Sequence, residues 1–105
     1  MPLAYKQIAQ SQIGTASGAF YTSPAATQTI IKHIRIVNND TVPRWVKMWN
    51  NGSADTNIIL PQTTIAAGGW AEFDGTLTLA AADTIVCQAE VASKVTMTAH
   101  GAQVT

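Results

Sequence analysis

The chain has 105 residues, enough for one ordinary domain, and its six basic and six acidic side chains give a formal net charge of zero. Only 11% of the residues are charged, well under the usual ~25%, whereas 47% are hydrophobic. Charges that are so few and so evenly balanced do not favour the basic patch that binds a phosphate backbone. No apolar run approaches the ~20 residues that span a bilayer. We therefore expect neither a nucleic-acid partner nor a membrane partner.

Cys87 is the single cysteine, which excludes an internal disulfide. It follows Ile85 and Val86, and this apolar setting predicts a buried thiol rather than a nucleophile. The first six residues lack the charged start and apolar run of a signal peptide. These features predict a protein that is made in the cytoplasm and assembled there into something larger.

Thr, Ile and Val are abundant, and Asn, Gly, Asp and Pro interrupt the chain at intervals typical of a sandwich or barrel. The residue pattern predicts strands at Leu3–Gln10, Ile13–Tyr21, Thr27–Asn38, Arg44–Asn50, Asn57–Leu60, Thr63–Ala66, Trp70–Phe73, Thr84–Glu90 and Lys94–His100. We expect an all-β fold, an antiparallel β-sandwich of about eight strands with the jelly roll as a candidate topology. Residues 1–105 form a single domain in this interpretation, and residues 1–10 are an N-terminal arm or an edge strand.

Strand Thr27–Asn38 has the clearest alternation. Strict alternation would place Ile34 and Ile36 on one side together with Lys32, and Ile31 on the other side with His33, Arg35 and Val37. After strand Arg44–Asn50, the triplet Asn50-Asn51-Gly52 is a hairpin signal, because Asn-Gly accepts positive φ.

The polar side chains do not form a catalytic or metal-binding pattern. His33 and His100 are the only histidines, and neither has a Cys, Asp or Glu at metal-ligand spacing. Asp74 and Asp83 occupy predicted turns, where Asp bonds to the backbone. We therefore predict no enzyme activity, no catalytic, metal-binding or cofactor-binding residues, and no cofactor.

The tryptophans are the candidate contact residues. In a regular strand Trp45, Lys47 and Trp49 point to one side, and Val46 and Met48 point to the other. If Val46 and Met48 are core, the two tryptophans stand outside as a contact surface; in the reverse register the tryptophans are core. Trp70 and Phe73 cannot share a face of one regular strand, and which of them is core stays open.

Two outward tryptophans suit three partners. They can pack on a protein subunit, stack on sugar rings as in carbohydrate-binding modules, or stack on single-stranded bases. The last use lacks an electropositive groove. The first two stay open.

Several stretches resemble small virion proteins of tailed bacteriophages, which are β-sandwiches of about this length found as capsid decoration (cement) proteins or tail-associated proteins. The resemblance covers most of the chain from Phe20 onward, and it lies in Thr29–Asn38, Ile59-Leu60-Pro61, Thr64–Phe73, Ala82–Ile85, Val95–Thr98 and Gly101. At Gly69 the family commonly has an acidic residue, so this chain departs from the pattern there.

The resemblance implies a structural protein of the virion, assembled in the host cytoplasm, whose partners are the major capsid protein or tail proteins and further copies of itself, such as a trimer. Many copies on the capsid surface would bridge neighbouring capsomers and stabilise the shell. Segment Pro2–Gln10 is the expected arm, pairing with a neighbouring chain by strand addition. Leu3 and Tyr5 in this arm join Trp45, Lys47 and Trp49 as interface candidates.

Overall fold

The structure, a computed structural model, describes residues 5–52 and 54–104 of the chain. Nearly all of its regular structure is β-strand, as expected from a sequence rich in Thr, Ile and Val. The strands are β1 (Lys6–Gln12), β2 (Gly18–Thr22), β3 (Gln28–Asn38), β4 (Arg44–Asn50), β5 (Ile58–Ile65), β6 (Trp70–Leu79), β7 (Thr84–Ala89) and β8 (Val95–Val104). One turn of 3-10 helix, Asp55–Asn57, precedes β5. Within the described residues, no helix is long and apolar enough to cross a membrane.

The eight strands form two antiparallel four-stranded sheets. The strand order is β1-β8-β3-β6 in the first sheet and β2-β7-β4-β5 in the second. This interleaving of early and late strands is the order of the jelly roll, an eight-stranded sandwich of two Greek keys. The predicted all-β sandwich of about eight strands is therefore confirmed, with the jelly roll as its topology.

The core lies between the two sheets, where alternate residues of each strand point inward. β4 contributes Val46 and Met48, both fully buried. Further buried apolar residues of this core come from strands of both sheets: Ile31, Ile34, Ile36, Ile65, Leu79, Ile85, Cys87, Ala89, Val95, Met97 and Ala99.

The simple alternation predicted for β3 is wrong. Ile31, Ile34 and Ile36 are all buried. Between Ile31 and His33, β3 has Lys32 as one extra residue relative to β8, whereas β6 has two residues opposite Lys32. This β-bulge turns the following side chains of β3 over. As a result, Ile31 shares the core with Ile34 instead of facing away from it.

Three other boundaries differ from the sequence prediction. β5 runs through Pro61 as one strand, and its pairing with β4 shifts register between Leu60 and Thr63, so Pro61 lies at an irregularity of an edge strand, where a residue without an N–H is tolerated. β6 continues from Trp70 to Leu79, so Asp74 lies within a strand and not at a turn. β2 begins only at Gly18, and a loop carries the chain from Ile13 to it.

Asn38 fixes the connection between β3 and the turn that joins β5 to β6. Its side chain is fully buried, and its Nδ2 donates to the carbonyl oxygens of Val42, Ile65 and Ala66 at 3.0, 3.0 and 3.2 Å. The backbone N–H of Asp40 donates to Oδ1 of Asn38. One buried amide thus supplies a hydrogen-bond donor to backbone carbonyls of two separate segments and holds them together.

Candidate interaction surfaces

Trp45, Lys47 and Trp49 lie on the outer face of β4, opposite the buried Val46 and Met48. Nζ of Lys47 lies between the two rings, 5.4 Å from the ring centroid of Trp45 and 6.0 Å from that of Trp49. An ammonium group within about 6 Å of an indole face is attracted by the ring quadrupole. The register in which the tryptophans face outward is therefore the one that the fold adopts.

The expectation that both tryptophans are exposed is wrong for Trp49, which is 5% exposed. Trp49 lies opposite Val86 of β7 and Ile58 of β5, so strands flank it on both sides. The pairing of β4 with β5 also shifts register on either side of Met48. Trp45 is only half-buried, so a sugar-stacking platform of two open rings is not present on this face.

Burial of Trp49 leaves a polar atom without a partner. Its Nε1 is buried, as is Oδ1 of Asn50, and neither has a hydrogen-bond partner among the described residues. The indole ring of Trp49 therefore contributes to stability through packing alone, and its unpaired N–H reduces that contribution, because burying an unpaired donor costs free energy. Lys47 and Trp45 are then the accessible part of the predicted surface.

A small group of ion pairs borders Trp45. Nε of Arg44 lies 2.7 Å from Oδ2 of Asp40, and Nη1 of Arg44 lies 3.5 Å from Oε2 of Glu90. The hydrogen bond from Arg44, helped by one from the backbone N–H of Thr41, holds the pKa of Asp40 below its ordinary value. The carboxylate of Asp40 in turn raises the pKa of Arg44. Glu90 also accepts a hydrogen bond from the backbone N–H of Trp45 at 3.2 Å.

The structure describes only one of the two N-terminal interface candidates. Tyr5 is 63% exposed, and Leu3 lies outside the described residues. The segment Lys6–Gln12 forms β1 and pairs along its length with β8 at the edge of the first sheet. Residues 6–10, which the arm prediction included, therefore belong to the sandwich.

Trp70 is an exposed aromatic residue that sequence reasoning left undecided. It is 55% exposed, and the guanidinium carbon of Arg35 stacks 4.5 Å from its ring centroid, while Phe73 packs against the core. The signal lay in the neighbouring residues, since Ala71 shares the apolar side of the strand with Phe73 and Glu72 shares the polar side with Trp70.

His33 and His100 are cross-strand neighbours, which their distance in the sequence concealed. Their ring centroids are 6.3 Å apart, and Nε2 of His33 lies 2.6 Å from Oε2 of Glu72. Asp74 lies directly opposite His33 on β6. In the part of the chain that the structure describes, no three such side chains are arranged to hold a metal ion. The group is a hydrogen-bonded cluster on the outer face of the first sheet.

A cavity of about 120 Å³ lies beside the edge strands β1 and β2. Most of the residues that line it have small side chains. The lining residues are Ser11, Gln12, Ile13, Gly14, Ala16, Gly18, Ala19, Phe20 and Cys87. Burial raises the pKa of the Cys87 thiol to about 12. At neutral pH the thiol is thus protonated, as the sequence suggested for a buried cysteine.

No protein-family model and no curated protein sequence matches the chain. Solved structures do share its fold. A chain in the acid-stable capsid structure of the Helicobacter pylori bacteriophage KHP30 aligns with a TM-score of 0.57 and 8% identity, over 97% of this chain and 99% of that one. A chain from the disulfide-linked pili of Bacillus endospore appendages aligns with a TM-score of 0.55 and 15% identity, over 98% of this chain and 88% of that one. At these identities the comparisons establish a shared sandwich fold.

Proposed function

We propose that the chain is a structural component of a tailed-phage virion that binds in many copies to the capsid surface and stabilises the shell by protein–protein contacts. The observation that carries the proposal is the match over nearly the whole of both chains with a chain of a phage capsid structure. A jelly roll of two four-stranded sheets can present its outer sheet faces as contact surfaces. The resemblance of strand and turn motifs to small phage virion proteins points in the same direction.

The contact surface that we propose is the outer face around Trp45 and Lys47. Trp and Arg are over-represented among the residues that dominate binding energy at interfaces, and a rim of other contacts usually shields them from water. Trp45 is half-exposed, and the Arg44–Glu90 pair lies at its rim. Trp49 lies buried beside Lys47 in the same face, where the contact with its ring orients the ammonium group. Tyr5 is a second candidate, at the start of the described chain.

Repetition makes weak contacts sufficient for such a protein. A copy that touches two capsomers, or a trimer that touches three, gains effective concentration from each additional contact. The low charge of the chain, 11% of its residues, fits a surface that is largely covered by neighbours, because charged residues are depleted in interface cores.

Quantitative mass spectrometry of purified particles tests the location. We expect peptides of this chain at a copy number comparable with that of the major capsid protein. A copy number as low as that of tail-tip proteins would move the protein to the tail. The absence of the chain from particles would overturn the proposal.

Co-sedimentation tests the surface. Particles that lack the protein are mixed with purified wild type, with Trp45→Ala and with Lys47→Ala, and bound protein is measured in the pellet. We expect binding weaker by roughly 30-fold or more for Trp45→Ala, the size of effect that a hot-spot truncation has. Val42→Ala, which removes another exposed apolar side chain, is the matched control and should bind normally. Equal binding by all variants would place the contact elsewhere on the protein.

A further inference from the structure

Two edges of the first sheet are open, and their strand directions are complementary. β1 and β6 are the outer strands of the order β1-β8-β3-β6, so each has one side with backbone groups that no other described strand pairs. Every neighbouring pair in this sheet is antiparallel, and the sheet has four strands, so β1 and β6 run in opposite directions. A second copy in the same orientation would therefore bring its β1 antiparallel to β6.

The registers of the sheet put matching segments of β1 and β6 at the same level. Following the pairs across β8 and β3, Gln12 is level with Trp70, Gln10 with Glu72, and Gln7 with Asp74. Both Ala9–Gln12 and Trp70–Asp74 are free of register shifts. Two copies at the same height could thus form an uninterrupted antiparallel ladder along these segments.

Side chains at the two edges are also suited to each other. On the inner side, Phe73 at one edge is level with Ala9 at the other, and both are only half-buried although they pack against the core. On the outer side, the exposed Trp70 is level with Gln12, which lines the cavity beside β1. A neighbouring copy would cover Phe73 and bring an aromatic ring to the rim of that cavity.

Charge favours the pairing of unlike edges over the pairing of like edges. β6 carries Glu72 and Asp74 and no basic residue, whereas β1 carries Lys6 and no acidic residue. A two-fold pairing of β6 with itself would bring four carboxylates together, and like charges opposite one another destabilise a strand pair. In the second sheet, Pro61 lacks a donor within edge strand β5, and edge strand β2 has only five residues.

We propose that copies of this chain associate head to tail, with β6 of one copy pairing with β1 of the next, Trp70–Asp74 against Ala9–Gln12. Such a contact joins two different surfaces, so each copy keeps one free edge, and the assembly grows into a ring or a filament. The association is a property of the purified protein and does not depend on binding to a particle.

Single-edge variants test the proposal by analytical ultracentrifugation at up to millimolar protein. Trp70→Ala with Asp74→Lys blocks the β6 edge, because it removes the ring and places a lysine near Lys6 of the next copy. Lys6→Glu with Gln10→Glu blocks the β1 edge, because it opposes acids to Glu72 and Asp74. All four positions are exposed, so both variants should keep the fold, which far-UV and near-UV circular dichroism checks.

We expect the wild type to form multimers and each blocked variant alone to be monomeric. Their mixture should associate again, because the intact β6 edge of one variant meets the intact β1 edge of the other. Dimers of the β1-blocked variant alone would indicate two-fold pairing through β6, and dimers of the β6-blocked variant alone would indicate two-fold pairing through β1. Either result, or a wild type that stays monomeric throughout, would overturn the proposal.

Disulfide trapping gives a second, independent measurement. Gln10 and Glu72 are level but lie at opposite edges of one sheet, roughly 14 Å apart by strand spacing, too far for a bond within one copy. Mild oxidation of the Gln10→Cys, Glu72→Cys variant should give a ladder of linked copies on a non-reducing gel. Gln10→Cys with Thr78→Cys, which displaces one thiol along β6, is the control and should give none. Equal ladders from both variants would show random collisions and contradict the register.

Discussion

Gly101 of β8 and Ile30 of β3 approach so closely that a Cβ atom at position 101 would overlap the carbonyl oxygen of Ile30. The contact lies where the register of β3 shifts, next to Ile31, so the bulge brings the backbone of β3 against β8 at this point. We expect Gly101→Ala to lower the free energy of unfolding by about 3 kcal/mol, because backbone atoms must move to admit the methyl group. Urea denaturation followed by tryptophan fluorescence measures the change.

Gly14→Ala is the control for that substitution. A Cβ at Gly14 would meet no atom within 4 Å, and its backbone conformation suits an L residue. We expect a change within about 1 kcal/mol and on the stabilising side, because alanine restricts the unfolded chain. Equal destabilisation by the two substitutions would argue against a close contact at Gly101.

Asn38→Ala should be among the most destabilising polar substitutions in the chain. It removes the side-chain donor to the carbonyl oxygens of Val42, Ile65 and Ala66. Of these three oxygens, only that of Ala66 keeps another donor outside the strand ladders among the described residues, the backbone N–H of Gly69. We expect a loss of about 3 kcal/mol, since each unsatisfied buried group costs on the order of 1 kcal/mol or more. Thermal unfolding measures it, with the exposed neighbour Asn39→Ala as the control. A melting temperature for Asn38→Ala equal to that of the control would contradict this role.

Asp40 should contribute to the stability of the protein at neutral pH and lose that contribution in acid. Its pKa in the folded protein is lowered by Arg44, so the folded state holds fewer protons than the unfolded state in the acidic range. The contribution is therefore present above the unfolded pKa of about 4 and is lost as the pH falls through the lower folded value. Melting temperatures of wild type and Asp40→Asn should differ at pH 7 and converge as the pH falls to about 2. A constant difference over this range would exclude the Arg44 pair as its cause.

Cys87 should be chemically inert in the folded protein. Burial raises its pKa to about 12, and the thiolate, which is the reactive form, is scarce at neutral pH. We expect Ellman's reagent to leave the thiol unmodified in buffer and to modify one thiol per chain in denaturant. Rapid reaction of the native protein would show that the cavity beside β1 and β2 admits the reagent to the sulfur atom.

Sequence patterns were sufficient to predict the sandwich, because most strands alternate and end at turn residues. In β4, the alternation put Val46 and Met48 on one face and Trp45, Lys47 and Trp49 on the other, but it did not decide which face is core; the structure buries Val46 and Met48 between the sheets. The exposure of Trp49 could not be predicted, since it depends on the strands that flank β4. The bulge at Lys32 was also invisible, because it arises from pairing with two strands distant in the sequence.

The histidine cluster could not be predicted for the same reason, because it depends on pairing between strands that are distant in the sequence. His33 and His100 are 67 positions apart, and only the adjacency of β3 and β8 brings their rings together. Spacing rules for metal ligands apply within one element or across a hairpin, and neither describes this pair. The outward direction of Trp70 could have been predicted from the sequence, since Trp70 and the polar Glu72 lie on the same side of β6.

The pairing of the first strand with the last has a consequence for folding kinetics. β1 lies against β8, so the first sheet cannot close until residues near Val95–Val104 have left the ribosome. Closing so long a loop costs chain entropy before native contacts repay it, and domains dominated by distant pairings fold in milliseconds to seconds. We expect this chain to fold late during synthesis and slowly, with its earlier strands exposed to chaperones until β8 arrives.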